Sequence, residues 1–528
     1  MSYTLNRKIH IKRDVEEDLR SQQQIDKWIL YILMVVIIIV PLLIGGHISE
    51  VVSPLIEDSD QLISGQKIDI FTFYKLIALV TLTVIAFGLF MYKLFFLDYR
   101  LPRRPILWFF AIFIVAIVFA TIFSSTKTIA LYGQYNRSDG GLSYICYVLL
   151  MFVAMHIKYP RKVVEFVLFG FYPLVIINFI ITTMNFTGHD VLNFDPVNKA
   201  LTFFASEIVF DESSNLIGTL NHWNYMSGMF ALLTVMYLSW IVVDKNNLRR
   251  FINLIIALLA VTTMLIGMSA SGFVTFVVMT PFILWIAIKS VRKKTTLIYI
   301  SVFYVLTAGI IHVLSQQNPE AWDESVGFFL PGNPYDIMQY EETSIKEYNS
   351  FDLTKIFGAA ANATDSTFKL PELPESNWGP GTGRIYIWQK TLQLVGEKPL
   401  FGFGLDTLMY NFPHYDIEAQ ANLNEVTIVD KPHSFYVGII YGTGFIGIIG
   451  LLGIIINVSW ASLKHIIRFD ELSSPLVILC ITWLAFLVQA LFNDSLPGTT
   501  TPLFIIGGII MALVNKDIVI KNDDSRID

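Results

Sequence analysis

The chain reads as an all-α polytopic membrane protein, and three observations predict it. Of its 528 residues 54% are hydrophobic and only 15% are charged, with a mean hydropathy of +0.57, far more apolar than soluble domains are. Apolar runs of about 17 to 25 residues, long enough to cross about 30 Å of hydrocarbon as helices, recur from Trp28 to the C-terminus. Lys and Arg gather in every second loop between those runs. A barrel would need shorter segments of alternating polarity, so the runs read as a helix bundle.

In order, twelve spans are expected near residues 28–46, 71–97, 105–123, 142–158, 162–184, 224–243, 251–268, 271–289, 296–314, 434–459, 475–492 and 502–515. No small-residue cleavage site follows the first run, which therefore reads as a retained span. Arg7, Lys8, Lys12, Arg13, Arg20 and Lys27 precede it. Arg100, Arg103 and Arg104 follow the second span, Arg161 and Lys162 the fourth, and Lys245, Arg249 and Arg250 the sixth. Arg292, Lys293 and Lys294 follow the eighth, and Lys464 and Arg468 the tenth. Because short basic loops stay inside, both termini are expected in the cytoplasm and the long loop outside. The expected organisation is a cytoplasmic segment 1–27, spans one to nine over 28–314, an extracytoplasmic loop 315–432, spans ten to twelve over 433–515, and a cytoplasmic tail 516–528.

The net charge of −6 comes with no basic domain, which argues against nucleic acid as a partner. Cys146 and Cys480 both fall within spans and read as small apolar packers, with no disulfide pair and no thiolate cluster. The sequence has no H-E-x-x-H and its outer acids are scattered, so no metal site and no cofactor are expected.

The loop 315–432 is too long for a connector. Its part 316–377 is acidic, rich in Asn, Ser and Pro, and reads as irregular. From Gly383 the stripe Ile385, Trp388, Leu392 and Val395 predicts an amphipathic helix of about 12 residues that stops by Pro399, lying on the membrane or capping the bundle. Arg384 then falls in the first turn, where the helix dipole gives a cation nothing. Lys75, near the outer end of span two, and Glu165, at the inner start of span five, are charges near span ends.

Three outer loops carry groups suited to chemistry. One holds Arg137 among Tyr135, Asn136 and Asp139; a second, G-T-L-N-H-W-N-Y, holds Asn221, His222 and Asn224; the third holds Arg384 and His433. Guanidinium groups bind phosphate oxygens bidentately, and a histidine near its ordinary pKa can accept a proton from a hydroxyl. Arg137, Arg384 and His433 together describe a glycosyl transfer site with a diphosphate leaving group. Against this, each arginine could snorkel at a helix end or pair with an acid such as Asp139, and His433 could cap span ten.

These residues resemble a known family. The R-I-Y-I-W helix, the following P-L-F-G-F-G, and P-H-S-F-Y leading into the Gly-rich G-I-I-Y-G-T-G-F-I-G look like the O-antigen ligase and O-antigen polymerase superfamily. That resemblance implies a GT-C-like bundle of about twelve spans with a large outer loop between the ninth and tenth. It implies transfer of a glycan from an undecaprenyl diphosphate carrier to a glycan, lipid or protein acceptor at the outer face of the bacterial cytoplasmic membrane, without metal and with inversion. His433 and Arg384 take the catalytic positions, and Arg137, Arg384, Asn221 and Asn224 the diphosphate-binding ones. The pattern departs at Ser269, Ala270, Ser271 and Gly272, where the family often carries an arginine in the last place. An alternative class is a flippase or transporter of the lipid-linked glycan, but no match between the two halves of the chain supports it.

Overall fold

The computed structural model describes residues 15–51, 64–202, 218–290, 292–330, 332–336, 383–423, 428–468 and 474–524. Most of the acidic stretch expected to be irregular, and the W-G-P-G-T segment before Gly383, lie outside them. In chain order the helices are α1 (Val15–Leu42), α2 (Phe73–Phe96), α3 (Ile106–Phe123), α4 (Lys127–Tyr132), α5 (Gly141–Met155), α6 (Val163–Gly170), α7 (Tyr172–Phe186), α8 (Asp195–Leu201), α9 (Trp223–Val243), α10 (Asn247–Ile266), α11 (Ala270–Lys289), α12 (Lys293–Gln317), α13 (Glu320–Asp323), α14 (Arg384–Val395), α15 (Ile417–Asn422), α16 (Phe435–Arg468), α17 (Leu476–Gln489) and α18 (Pro497–Asp524). A hairpin, β1 (His47–Val51) with β2 (Gly65–Asp69), pairs His47 opposite Asp69 in the loop between α1 and α2.

Among the described residues ten helices are long and apolar enough to cross a membrane, with α6 and α7 forming one of them, and the shorter apolar α5 and α17 fall on the expected fourth and eleventh spans. Every expected run is helical. Several limits differ: α1 covers Val15–Leu42, the fifth run divides at Phe171, α16 runs on to Arg468, and α18 covers Pro497–Asp524. The chain is an all-α polytopic membrane protein. Outward faces carry side chains such as Phe95, Trp108 and Trp460 that need a bilayer to cover them. At the centre lies α9, whose residues from Asn224 to Val243 are all buried, packed between α10, α11 and α17.

One span is broken. α16 leaves helical geometry at Gly444, whose φ is 64°, a left-handed value that a glycine adopts without a Cβ clash. The P-L-F-G-F-G segment fills the break: Phe403 N donates to Tyr441 O and Gly404 N to Gly442 O, both at 3.0 Å, while Phe445 N donates to Pro399 O at 2.7 Å. The backbone groups freed by the break are thus satisfied by protein, as a low-dielectric surrounding requires. This seam fixes the end of the long loop to the entrance of α16.

Candidate active site

The loops that precede α5, α9, α16 and α18 all open at one end of the bundle, because alternate helices run in opposite directions. The three loops singled out in the sequence meet there, and a fourth joins them: Asn493, Asp494 and Ser495 between α17 and α18. His433 Nδ1 faces Asp494 Oδ2 at 3.3 Å, with the carboxylate side chain 5% exposed and the imidazole 36% exposed. The other oxygen of Asp494 accepts from Ser434 N at 3.2 Å. Burial works against the Asp494 charge, but His433, Lys431 and Arg137 outweigh it and hold the carboxyl below its ordinary range. This pairing leaves Nε2 as the second ring nitrogen, on the side away from the carboxylate.

Arg384 occupies the first turn of α14, as expected. Its guanidinium donates to the Phe492 carbonyl at 3.5 Å, its Nε is buried with no partner, and no described carboxylate lies within 4 Å. Burial lowers its pKa, opposed by the more distant Asp494 and Glu324. The helix itself is held by Trp388 Nε1 donating to Pro432 O at 2.6 Å, one residue before His433. It caps the bundle end, but its buried face differs from the expected stripe: Tyr386, Ile387, Thr391 and Val395 are inside, whereas Ile385 and Leu392 are exposed.

Arg137 pairs with Asp430, and with Asp406 at 3.8 Å; Asp139, the expected neighbour, instead meets Lys431 at 2.9 Å. Lys431 also approaches Asp406 at 3.6 Å. Ser495 Oγ donates to Asp139 at 2.5 and 2.6 Å, and the Tyr144 hydroxyl adjoins both. Burial opposes the charge on Lys431, but Asp139 and Asp406 outweigh it and raise its pKa. Burial and the neighbouring Asp406 push Asp139 up to about 7 against the pull of Lys431. Asp139, Asp406, Asp430, Lys431, Asp494 and Ser495 line one small pocket.

The two asparagines divide. Asn221 Nδ2 donates to the carbonyl of Asn136, beside Arg137, at 2.5 Å. Asn224 is buried, its Oδ1 accepting from Ser269 at 2.7 Å and Ser271 at 2.6 Å and its carbonyl accepting from Asn493 at 3.0 Å, so it braces α9, α11 and the 493–495 loop from behind. Between them His222 caps α9 by accepting from Asn224 N at 3.2 Å. Burial, with His433, Arg137 and Arg384 nearby, lowers its pKa to about 3 and keeps it neutral. At the departure noted above, a Cβ on Gly272 would run into Ser227 of α9, so the helix packing leaves no room for a larger side chain.

Sequence reasoning missed Asp494, Lys431, Asp406 and Asp430. The available signal was N-D-S-L-P, a charged turn at the entrance of a span. Among the described residues no group of three His, Cys, Asp or Glu is placed to hold a metal ion.

Comparison with curated proteins gives no match. A family model described as O-antigen ligase matches residues 254–452, from α10 through the long loop into α16. The match includes Arg384, Lys431, His433 and the break at Gly444, and supports glycosyl transfer of ligase or polymerase type on lipid-linked glycans as the general activity. Over these residues the chain is similar to the O-antigen ligase family, which supports a place in the O-antigen ligase and O-antigen polymerase superfamily.

Proposed function

We propose that the protein is an inverting, metal-independent glycosyltransferase that moves a glycan from an undecaprenyl diphosphate carrier to an acceptor hydroxyl at the outer face of the bacterial cytoplasmic membrane. The observation that carries this is the His433 and Asp494 pair beside Arg384, a partly buried cation with no described carboxylate within reach. Asp494 accepts the Nδ1 proton and fixes the tautomer, so Nε2 takes the proton of the acceptor hydroxyl. The acceptor oxygen forms its bond to C1 of the donor sugar as the bond from C1 to the phosphate oxygen breaks. The electron pair leaves with the diphosphate, and attack from the opposite face inverts the anomeric centre. Arg384 stabilises the charge that grows on the diphosphate; Arg137 contributes a second contact when Asp430 yields to the phosphate, and Asn221 supports the turn that carries it.

The basic loops gather at the opposite end of the bundle, which supports a cytoplasmic position for that end and for both termini. The test is reconstitution with the lipid-linked donor in the presence of a chelator, scoring release of the carrier diphosphate. Arg384→Ala is expected to reduce release by about 10²–10³-fold. A ladder of products identifies a growing lipid-linked glycan as acceptor, and a single transferred chain a ligase. Full activity of a stable Arg384→Ala protein, or lipid movement across a vesicle with no release, would overturn the reading.

A further inference from the structure

The site holds two histidines, and their hydrogen bonds set them in opposite tautomers. His433 Nδ1 faces a carboxylate oxygen of Asp494 at 3.3 Å, so its ring proton is on Nδ1 and Nε2 is free to accept. His222 Nδ1 instead accepts the backbone N–H of Asn224 at 3.2 Å, and a ring nitrogen that accepts carries no proton. The proton of the His222 ring is therefore on Nε2. Protonating Nδ1 as well would set N–H against N–H, so the cap itself keeps this ring a neutral donor. It cannot serve as the base.

The ring is also held in place. It lies against the Trp223 indole with centroids 3.9 Å apart, and the Tyr225 ring meets it edge-on at 5.9 Å. On one side the preceding Asn221 is tied to the Arg137 turn through the Asn136 carbonyl at 2.5 Å. On the other the Asn224 carbonyl is tied to the Asp494 loop through Asn493 Nδ2 at 3.0 Å. His222 thus stands between the loop of Arg137 and the loop of Asp494, and Arg137, Arg384, His433 and Asp494 all act electrostatically on its ring. The residue is half-buried, and among the described residues Nε2 has no hydrogen-bond partner. The cap uses Nδ1 and the aromatic contacts use the ring faces; neither uses the Nε2–H. A neutral donor beside two guanidinium groups suits an oxygen of a polyanion, to which it adds a directed bond without a third repelling cation.

We infer that the His222 Nε2–H binds an oxygen of the donor diphosphate, as a contact alongside Arg384 and Arg137. This deepens the transfer reading, on which it rests for the identity of the anion.

Two substitutions separate the contact from the cap. His222→Asn keeps an oxygen for the Asn224 N–H, as preferred N-cap residues do, but is too short to place an N–H where Nε2 stands. His222→Gln reaches that place with its amide and loses the cap. The full chain is measured in a phosphate-free maltoside detergent, by thermal melts and by calorimetric titration of pyrophosphate. His222→Asn is expected to keep the wild-type Tm and to bind pyrophosphate about tenfold more weakly, the loss of one hydrogen bond to a charged group. His222→Gln is expected to melt at a lower temperature and to keep the affinity. With the lipid-linked donor, His222→Asn is expected to raise the donor KM by a similar factor and to change kcat less. One measurement needs no change at the site: in the ¹⁵N-histidine-labelled wild type the Nε2–H signal, assigned by its loss in His222→Gln, is expected to shift when pyrophosphate is added. Pyrophosphate binding needs no turnover, so a wild type that binds through His222 but releases no carrier overturns the transfer reading and leaves the contact standing. No binding by wild type, an unmoved Nε2–H signal, equal affinity in wild type and His222→Asn, or equal weakening by both substitutions would overturn the contact.

Discussion

His433 sits at φ 53°, in the left-handed region, and Asn136, Ser138, Asn221 and Asp406 share that conformation at φ 60°, 52°, 80° and 59°. Each such residue costs of order 1 kcal/mol or more and persists only where its surroundings hold it. Asn136 and Ser138 flank Arg137 on both sides, so the strain is spent on aiming site residues. Asn and Asp tolerate this region best among residues with side chains, which is why the turns are rich in them. At His433 the strained backbone turns the ring toward Asp494, and the carboxylate is the group whose removal isolates the effect of that aim. Asp494→Asn is isosteric and keeps a hydrogen-bonding partner for Nδ1, but it favours the wrong tautomer. Carrier release is expected to fall by about 10²–10⁴-fold with little change in donor KM; a fall in affinity alone, with kcat unchanged, would argue against a base held by Asp494. The depressed pKa sets the sign of the pH effect. Because the folded state favours the carboxylate, its contribution to stability is present above the usual carboxylate range, near pH 4, and is lost as pH falls through the lower folded value. Acid melts of Asp494→Asn are therefore expected to lose less stability than wild type between neutral pH and pH 3.

The broken α16 carries the next prediction. A Cβ at Gly444 would meet the backbone of Leu400 and Phe401 at a φ that a side chain resists, so Gly444→Ala strikes the seam between the span and the P-L-F-G-F-G segment. We expect a loss of about 1–3 kcal/mol, a lower Tm in detergent and faster proteolysis between α14 and α16. Gly309→Ala in α12, where an added Cβ meets nothing within 4 Å, is expected to leave both unchanged. The same element shows what the sequence could disclose. The ten helices long enough to cross a membrane and the two shorter apolar ones, α5 and α17, were legible as apolar runs, because a run long enough to cross hydrocarbon folds as little else but a spanning helix. The helix at α14 was legible too, but its buried face was not. The stripe counted large apolar residues, whereas the face that docks uses Tyr386 and Thr391, whose burial depends on partners in α16 and the 403–423 segment. Arg384, Arg137 and His433 stood out as cations and an imidazole at span entrances. Asp406 and Asp494 did not, because their roles come from neighbours far along the chain: Asp406 lies 272 residues from Gln134, whose backbone N–H it accepts at 2.6 Å.

Across the whole molecule, three distant loops are locked together by one buried cluster, and three of the site residues are close chain neighbours of a cluster member. Arg137 is two residues from Asp139, His433 two from Lys431, and Asp494 one from Ser495. Lys431 and Asp139 are 5% and 4% exposed, and Lys431 also donates to the Ser495 carbonyl at 3.4 Å. Removing one member of a buried ion pair leaves an uncompensated charge and costs about 3–5 kcal/mol, whereas removing both is far milder. Lys431→Met leaves Asp139 beside Asp406 with no ammonium between them, and is expected to destabilise by about that amount. Asp139→Asn relieves part of this, since it removes one of two carboxylates crowding a single cation. The double variant Lys431→Met/Asp139→Asn is therefore expected to be more stable than Lys431→Met alone, with a coupling of about 1–3 kcal/mol in a double-mutant cycle of detergent melts. Its activity should not recover with its stability, because Arg137, His433 and Asp494 would no longer be held in one register. Additive losses in the cycle would show that the loops are held together elsewhere, along the Gly444 seam and the Trp388 contact, with the cluster only filling the space between them.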